Sequence, residues 1–490
     1  MSVTLPLINN YIDIKESSIN QKYRPKYHMS PRVGWMNDPN GLIYFNNTYH
    51  LYYQANPYRT RPGQMVWGHF VSKDLITFKD LGVALSLDQV GESAYSGGAI
   101  EKDGEINIFY TLHTEKHPTA IRYDGEIQEE DQILTEKGNE KRKSIPHVDE
   151  SKDIKEEEVF RSTSKDGMSY EKGERVFDNT TLPTNISQTD FRDPCPVKIG
   201  DYYYIFLGGR DMEIGRGIIV VLKSNTLSDF KYDFTIGPFY ELGTMGECPS
   251  YFKIDNKDVL VASGCNVHKR GNDFKNINCS VFVVGNIDFE NKKMTVDSIK
   301  EIDKGDSFYA PQFIRGLDHP VIVGWMEMWG KNYPTSKKHH GWVGAFSIPR
   351  ELSIKNGIIY QTPTKELEKY SHVVNYTYLP NQSDISCNID NNSFLLIKGE
   401  TGEVKIGNKE GRVYVDNTNA NTMYDVVRCT NEKYSNPSIR ILVDTSSVEV
   451  FVDDGKEVIT TRMYIGGQLE LICEGNITNK IIKEIRGDAL

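Results

Sequence analysis

Three carboxylates could do chemistry in this chain. Asp38 lies in Gly34-Trp35-Met36-Asn37-Asp38-Pro39-Asn40-Gly41, Asp193 stands between Arg192 and Pro194, and Glu247 opens Glu247-Cys248-Pro249. Hydrolysing a glycoside with retention takes two carboxyls about 5–5.5 Å apart, one ionised and nucleophilic, the other starting protonated. Asp38 is short and held in a stiff turn, where Asn37 and Asn40 offer donors that favour the charged form. Glu247 reaches further and sits beside apolar Cys248 and Pro249, which suits an acid/base. Arg192 is expected to keep Asp193 ionised, and a fixed anion there would grip a sugar harder as oxocarbenium character grows. Singly, each acid has a plainer role as a turn cap, an ion-pair partner or an exposed turn residue. Together they recur at matching points of a repeat, which points to one shared pocket.

The repeat is what must position them. Each unit opens on a small or polar motif, runs into an apolar strand, turns, and runs into a second strand. Gly41–Phe45 turns at Asn46-Asn47 into Tyr49–Gln54, and Ser96–Ile100 turns at Asp103-Gly104 into Ile106–Tyr110. Asp193–Val197 turns at Gly200-Asp201 into Tyr202–Phe206, Glu247–Phe252 turns at Asp255-Asn256 into Val259–Ala262, and Tyr309–Phe313 leads to Pro320–Trp325. The turns are rich in Asn, Asp and Gly, as hairpins require. Five units of roughly 50–60 residues predict a five-bladed β-propeller, in which the first strand of every blade lines the central channel. An ordinary β-sandwich of hairpins is the alternative.

The predicted class is all-β: a five-bladed β-propeller followed by a C-terminal β-sandwich. Residues 1–21 read as an N-terminal extension and 22–352 as the propeller. An acidic insertion at about 115–160 contains Glu129-Glu130-Asp131 and Glu156-Glu157-Glu158 and reads as a solvated loop. Residues 353–372 read as a linker with a short helical turn. Residues 373–490 read as the sandwich, whose strands alternate as in Ser447-Val448-Glu449-Val450-Phe451-Val452.

Composition limits the partners. Net charge is −11, which argues against nucleic acid and anionic membranes. No apolar run approaches the ~18 residues of a membrane helix, and the first residues lack a secretory pattern. Seven cysteines without Cys-x-x-Cys pairs suit a reducing compartment, so a cytoplasmic location is expected. His339-His340 lacks further ligands at metal spacing and reads as loop. Trp325 follows an apolar strand and reads as core, while Trp329 in the next loop is the better sugar-stacking candidate. The oligomeric state is left open, with a homodimer among the options.

These motifs carry a resemblance. Trp35–Gly41, Arg192-Asp193-Pro194 and Glu247-Cys248-Pro249 resemble the signature blocks of glycoside hydrolase family 32, which includes invertases, sucrose-6-phosphate hydrolases, levanases and inulinases. Tyr53–Pro57, Trp67-Gly68-His69, Phe308–Gln312, Gly341-Trp342 through Ser347–Leu352, Ser447–Phe451 and Thr461-Arg462 agree with it. The resemblance implies a double displacement with Asp38 as nucleophile, Glu247 as acid/base and Asp193 as transition-state stabiliser. It also implies sugar contacts from Asn37, Gln54, Trp67, Ser96, Arg192, Tyr309 and Trp329, with no metal and no organic cofactor. Tyr95 and Gly98 depart from the commoner Phe-Ser-Gly-Ser around Ser96, and Ser250 stands where the family usually has Asp.

The expected activity is release of terminal non-reducing β-fructofuranosyl residues, with sucrose or a fructo-oligosaccharide as the small-molecule partner. Fructan or sucrose-6-phosphate hydrolysis are the near alternatives. A non-catalytic carbohydrate-binding propeller is the alternative from another class, and the presence of all three acids weighs against it.

Overall fold

The computed structural model describes residues 4–89, 91–115, 155–424 and 426–487. The chain is all-β, with five antiparallel meanders arranged in chain order. The first sheet is built from Gly34–Phe45, Thr48–Asn56, Val66–Ser72 and Phe78–Leu85, the second from Glu92–Lys102, Glu105–Glu115, Lys155–Ser164 and Glu174–Phe177. Ile186–Ile199, Tyr202–Asp211, Arg216–Ser224 and Lys231–Ile236 form the third. Met245–Ile254, Lys257–Cys265, Cys279–Asp288 and Lys293–Glu301 form the fourth. Tyr309–Phe313, Val321–Trp325, Arg350–Lys355 and Ile358–Pro363 form the fifth.

The opening strand of each sheet packs against the opening strand of the next, and Tyr309–Phe313 of the fifth packs back on Gly34–Phe45 of the first. A parallel pairing of Trp342-Val343 with Gly34-Trp35 ties the two ends together. The inner strands of the first, fourth and fifth sheets are buried almost throughout, and those of the second and third through their middle. Apolar side chains between neighbouring sheets supply the cohesion, as with Phe206, Tyr251 and Leu260 between the third and fourth. The N-terminal helix Leu5–Glu16 covers the outer edge of the first sheet. It buries Ile8 and Ile12, and its Asn9 side chain bonds both the N–H (2.7 Å) and the C=O (3.0 Å) of Val83. A side chain thus pairs an edge that would otherwise be open to another strand.

Two expectations change here. Residues 353–363 are not linker: they belong to the last two strands of the fifth sheet, in register with each other from Arg350↔Pro363 to Lys355↔Ile358. The helical turn follows them at Lys365–Lys369. Residues 155–160, read as the end of a solvated insertion, are strand, paired through Glu115↔Lys155 and Tyr110↔Phe160. Glu157 and Val159 are buried between the half-buried Glu156, Glu158 and Phe160, so a run of charge concealed a strand period of two. Most of the acidic insertion lies outside the described residues.

Beyond Lys369 a six-stranded and a five-stranded sheet pack face to face around Ile385, Leu395, Ile406, Val448 and Val450. Ser447–Val452 is buried on both faces. Its valines fill the core between the two sheets, whereas Glu449 and Phe451 turn toward the first five sheets. There Glu449 enters a buried ionic network. Arg350 bonds Asp303 at 2.9 Å and also Glu449, and His28 sits between Glu449 and Asp444 at 2.9 Å each.

Burial opposes the charge on His28, but its two carboxylate partners hold its pKa above the ordinary 6.5. Despite burial, His28 and other donors hold Asp444 below 3.8, and Arg350 and His28 hold Glu449 below 4.5. The His28 contribution to stability is complete below pH 6.5 and is lost as pH rises through its elevated folded value. The carboxylate contribution is complete above the ordinary values of 3.8 and 4.5 and is lost on acidification. This junction should therefore be firmest between pH 4.5 and 6.5. Melting temperature followed against pH should fall above pH 6.5 in the parent and show a flatter decline in His28→Gln; equal slopes would contradict it.

Candidate active site

One backbone device recurs in all five inner strands. Each carries one extra residue relative to its partner strand, at the same level: Met36–Pro39, Tyr95–Gly97, Arg192–Cys195, Glu247–Ser250 and Tyr309–Gln312. In four of them a proline falls in the bulge: Pro39, Pro194, Pro249 and Pro311. Proline has no N–H to give to the ladder, so pairing breaks there. The residue before it takes a left-handed φ in three cases, Asp193 at 65°, Cys248 at 46° and Ala310 at 50°. Bulges re-aim side chains, and these turn Asp38, Ser96, Asp193 and Cys248 toward one another. Gly208 lets two sheets close up, since a Cβ there would stand 2.2 Å from the Gly246 carbonyl and 2.8 Å from Glu247 Cα.

Cys248 joins the acids. Its Sγ lies 3.5 Å from Asp38 Oδ2 and 3.4 Å from Asp193 Oδ2, and its backbone N–H donates to Asp193 Oδ2 at 2.8 Å. Ser96 Oγ donates to Asp38 Oδ2 at 2.8 Å, while Asp38 Oδ1 is buried and, among the described residues, accepts no hydrogen bond of ordinary geometry. The Asp193 N–H donates to Thr111 Oγ1 at 3.0 Å, which steadies the left-handed turn. Glu247 takes Tyr309 Oη on one oxygen at 2.8 Å and Arg192 Nη1 on the other at 3.3 Å.

The electrostatics differ from the sequence expectation. Burial pushes Asp38 up to about 6 against the donors Ser96 and Asn37, with Glu247 adding to the rise. Asn40 takes no part. Its amide, in the orientation that satisfies both of its atoms, pairs with Gln54 and the Pro39 carbonyl. Burial and Glu247 push Asp193 up to about 8, and Arg192 only partly offsets them. The reason is directional: the Arg192 guanidinium turns toward Glu157 at 2.9 Å and toward Glu247, not onto Asp193. Burial works against the Arg192 charge, but Glu157, then Glu247 and Asp193, hold it above its ordinary value.

Of the seven expected sugar contacts, Ser96, Arg192 and Tyr309 touch the acids directly. Asn37 borders Asp38 and accepts from Trp35 Nε1 at 2.7 Å. Trp329 is partly exposed and stacks on Trp35, with ring centroids 6.0 Å apart and planes 29° apart. Trp325 is fully buried, as read from its strand. Gln54 and Trp67 stand behind the site instead. Gln54 Nε2 donates to the Ala94 carbonyl at 2.9 Å, and Trp67, 0% exposed, donates Nε1 to the Tyr95 carbonyl at 3.1 Å. Both brace the strand that carries Ser96. Ser250 is buried and accepts from the Phe313 N–H at 3.1 Å, so its hydroxyl serves the fifth sheet's bulge. His340 stacks on Tyr23.

The sequence reading missed Glu157, Thr111 and the bridging role of Cys248. Four X-Pro pairs at the repeat register were the available signal for Cys248. Nothing local marks Glu157 apart from the strand alternation that begins inside its acidic run.

Comparison with known proteins agrees with this arrangement. The model of the "Glycosyl hydrolases family 32 N-terminal domain" matches residues 28–363, and that of the family's C-terminal domain matches residues 365–481. The chain is 28% identical over 475 residues to a sucrose-6-phosphate hydrolase of Escherichia coli, covering 90% of this chain and 89% of that one. It is 29% identical over 500 residues to a raffinose invertase of Escherichia coli, covering 95% and 94%. A Bombyx mori GH32 beta-fructofuranosidase superposes with a TM-score of 0.80 at 25% identity, covering 99% of this chain and 98% of that one. With the family's N-terminal pattern running across all five sheets and its C-terminal pattern across the remaining two, the chain belongs to glycosyl hydrolases family 32.

Proposed function

We propose that the chain is a retaining β-fructofuranosidase that releases fructose from sucrose, its five sheets forming the blades of a propeller and its last two a sandwich. The observation that carries this reading is the gathering of Asp38 and Asp193 around Cys248, with Glu247 next along the strand. Asp38 attacks the anomeric carbon of the fructosyl unit. Glu247, aimed by Tyr309 and Arg192, protonates the leaving oxygen and then activates the water that resolves the glycosyl-enzyme. Asp193 faces the developing oxocarbenium charge.

The raised values of Asp38 and Asp193 fit this use. In the empty site burial disfavours both charges, and Glu247 adds repulsion. A cationic transition state between them favours the anions that the empty site disfavours, which is stabilisation reserved for the transition state. Ser96, Asn37 and Trp329 border the fructosyl pocket, and Gln54 and Trp67 hold its wall. A neighbour of this fold, at a TM-score of 0.79 and 25% identity, is a Bombyx mori beta-fructofuranosidase variant solved in complex with sucrose.

The test is fructose release from sucrose, sucrose-6-phosphate, inulin and levan compared at equal concentration. Sucrose turning over fastest is expected. A preference for sucrose-6-phosphate, the substrate named for several relatives, would replace sucrose in this reading, and inactivity on all four would overturn it.

Ser96→Ala removes a hydrogen bond that lowers the Asp38 pKa. The acid limb of kcat/KM should then rise by about one pH unit, and its plateau should fall about tenfold or more. An acid limb that stays in place would contradict the Ser96 role.

A further inference from the structure

We infer that Glu157 is a positioning residue that sets the working protonation of Glu247 through Arg192. This rests on the acid/base reading of Glu247. Glu157 comes from the third strand of the second sheet, and its side chain is 1% exposed. Its carboxylate grips the guanidinium edge-on. Arg192 Nε lies 3.2 and 3.3 Å from its two oxygens, and Nη2 lies 2.9 Å from Oε1. That fork occupies Nε and Nη2 and leaves Nη1 for Glu247 Oε1 at 3.3 Å. One cation is thus shared between two carboxylates. The structural one holds it in a fixed rotamer, and the reacting one receives its remaining N–H.

The shared charge has a chemical consequence. An acid/base must start protonated, and an arginine committed wholly to Glu247 would hold it ionised. Glu157 drains part of that cation's influence and adds a like charge. The other groups facing Glu247 are Tyr309, Asp193, Asp38 and the thiols of Cys248 and Cys265. On the far side, Arg192 also meets Asp190 at 3.5 Å, and Glu157 meets His113 Nδ1 at 3.4 Å. A change at position 157 alters the His113 contact directly, and the other groups keep their own charges and positions in the sequence.

Two variants separate positioning from simple support. Glu157→Gln keeps the shape and loses the charge, so Arg192 turns its full charge on Glu247. The alkaline limb of kcat/KM should move down by about one pH unit. Glu157→Asp keeps the charge but is one methylene shorter. It draws the guanidinium away from Glu247, and the alkaline limb should move up. A merely structural loss would lower the plateau in both and move neither limb. If either variant does not fold, the sign of the other decides. An alkaline limb coincident with the parent's in a folded variant overturns the inference. Glu247→Ala distinguishes the underlying reading. Loss of the alkaline limb in that variant, with no movement in Glu157→Gln, rejects only the role of Glu157. Retention of the limb in Glu247→Ala rejects the acid/base role itself.

Discussion

Asp38→Asn should abolish sucrose turnover and, at neutral pH, make the protein more stable. In the double displacement proposed above the variant lacks its nucleophile, and a fall in kcat of about 10⁴-fold or more is expected. The gain in stability follows from burial. Asp38 ionises near 6 rather than 3.8, so above pH 6 the folded protein holds an anion that it disfavours. A shift of about two units corresponds to roughly 3 kcal/mol. The cost is fully present above the folded value, fades as pH falls from 6 toward 3.8, and is gone below it. Parent and variant should therefore melt apart at pH 7.5 and converge near pH 4. Turnover within tenfold of the parent would reject Asp38 as nucleophile. A variant less stable than the parent at pH 7.5 would reject the electrostatic account of its site. The same trade of stability for activity is expected wherever charges are desolvated for catalysis.

Arg350→Met should be the most damaging single change outside the site. Arg350 is fully buried between the rings of Phe308 and Phe451. It bonds Asp303, Gln361, Glu449 and Thr460, and so joins the fifth sheet to the C-terminal sheets. Methionine fills much of the volume but leaves the buried Asp303 without its cation and Glu449 with His28 alone, a loss of about 3–5 kcal/mol. Denaturant midpoints of the parent, Arg350→Met, Glu449→Gln and the double variant would measure it. The double variant should lose less than the sum of the two single changes, because the second removes a charge that the first has stranded. Additive losses would show that the two groups do not act as a pair.

The reach of sequence reasoning differs between elements. The repeat of apolar strands and Asn/Asp/Gly turns was legible because a strand's period and a hairpin's turn chemistry are local. The five meanders follow it closely. The acids were legible for a related reason. Asp38 and Asp193 directly precede a proline and Glu247 stands two residues before one, at the same point of each unit, and a proline with no N–H to give favours a bulge there. The fifth sheet's outer strands were misread at 353–363 because their cue lies in pairing with Val321–Trp325, some thirty residues away in sequence.

Glu157 and Glu449 show the other limit. Both sit in ordinary strand sequence, one in an acidic run and one between valines, and both are buried charges. What distinguishes them is an arginine from another sheet. Arg192 meets Glu157 and Arg350 meets Glu449 only after the sheets have packed. The direction of the Arg192 side chain, which decides whether Asp193 or Glu247 receives its charge, is likewise a product of that packing. Residue type and spacing therefore pointed to the groups proposed to react and to the level of each strand at which they stand. Burial, pKa and the sharing of cations waited on the fold, because desolvation and ion pairing depend on neighbours that are distant in sequence.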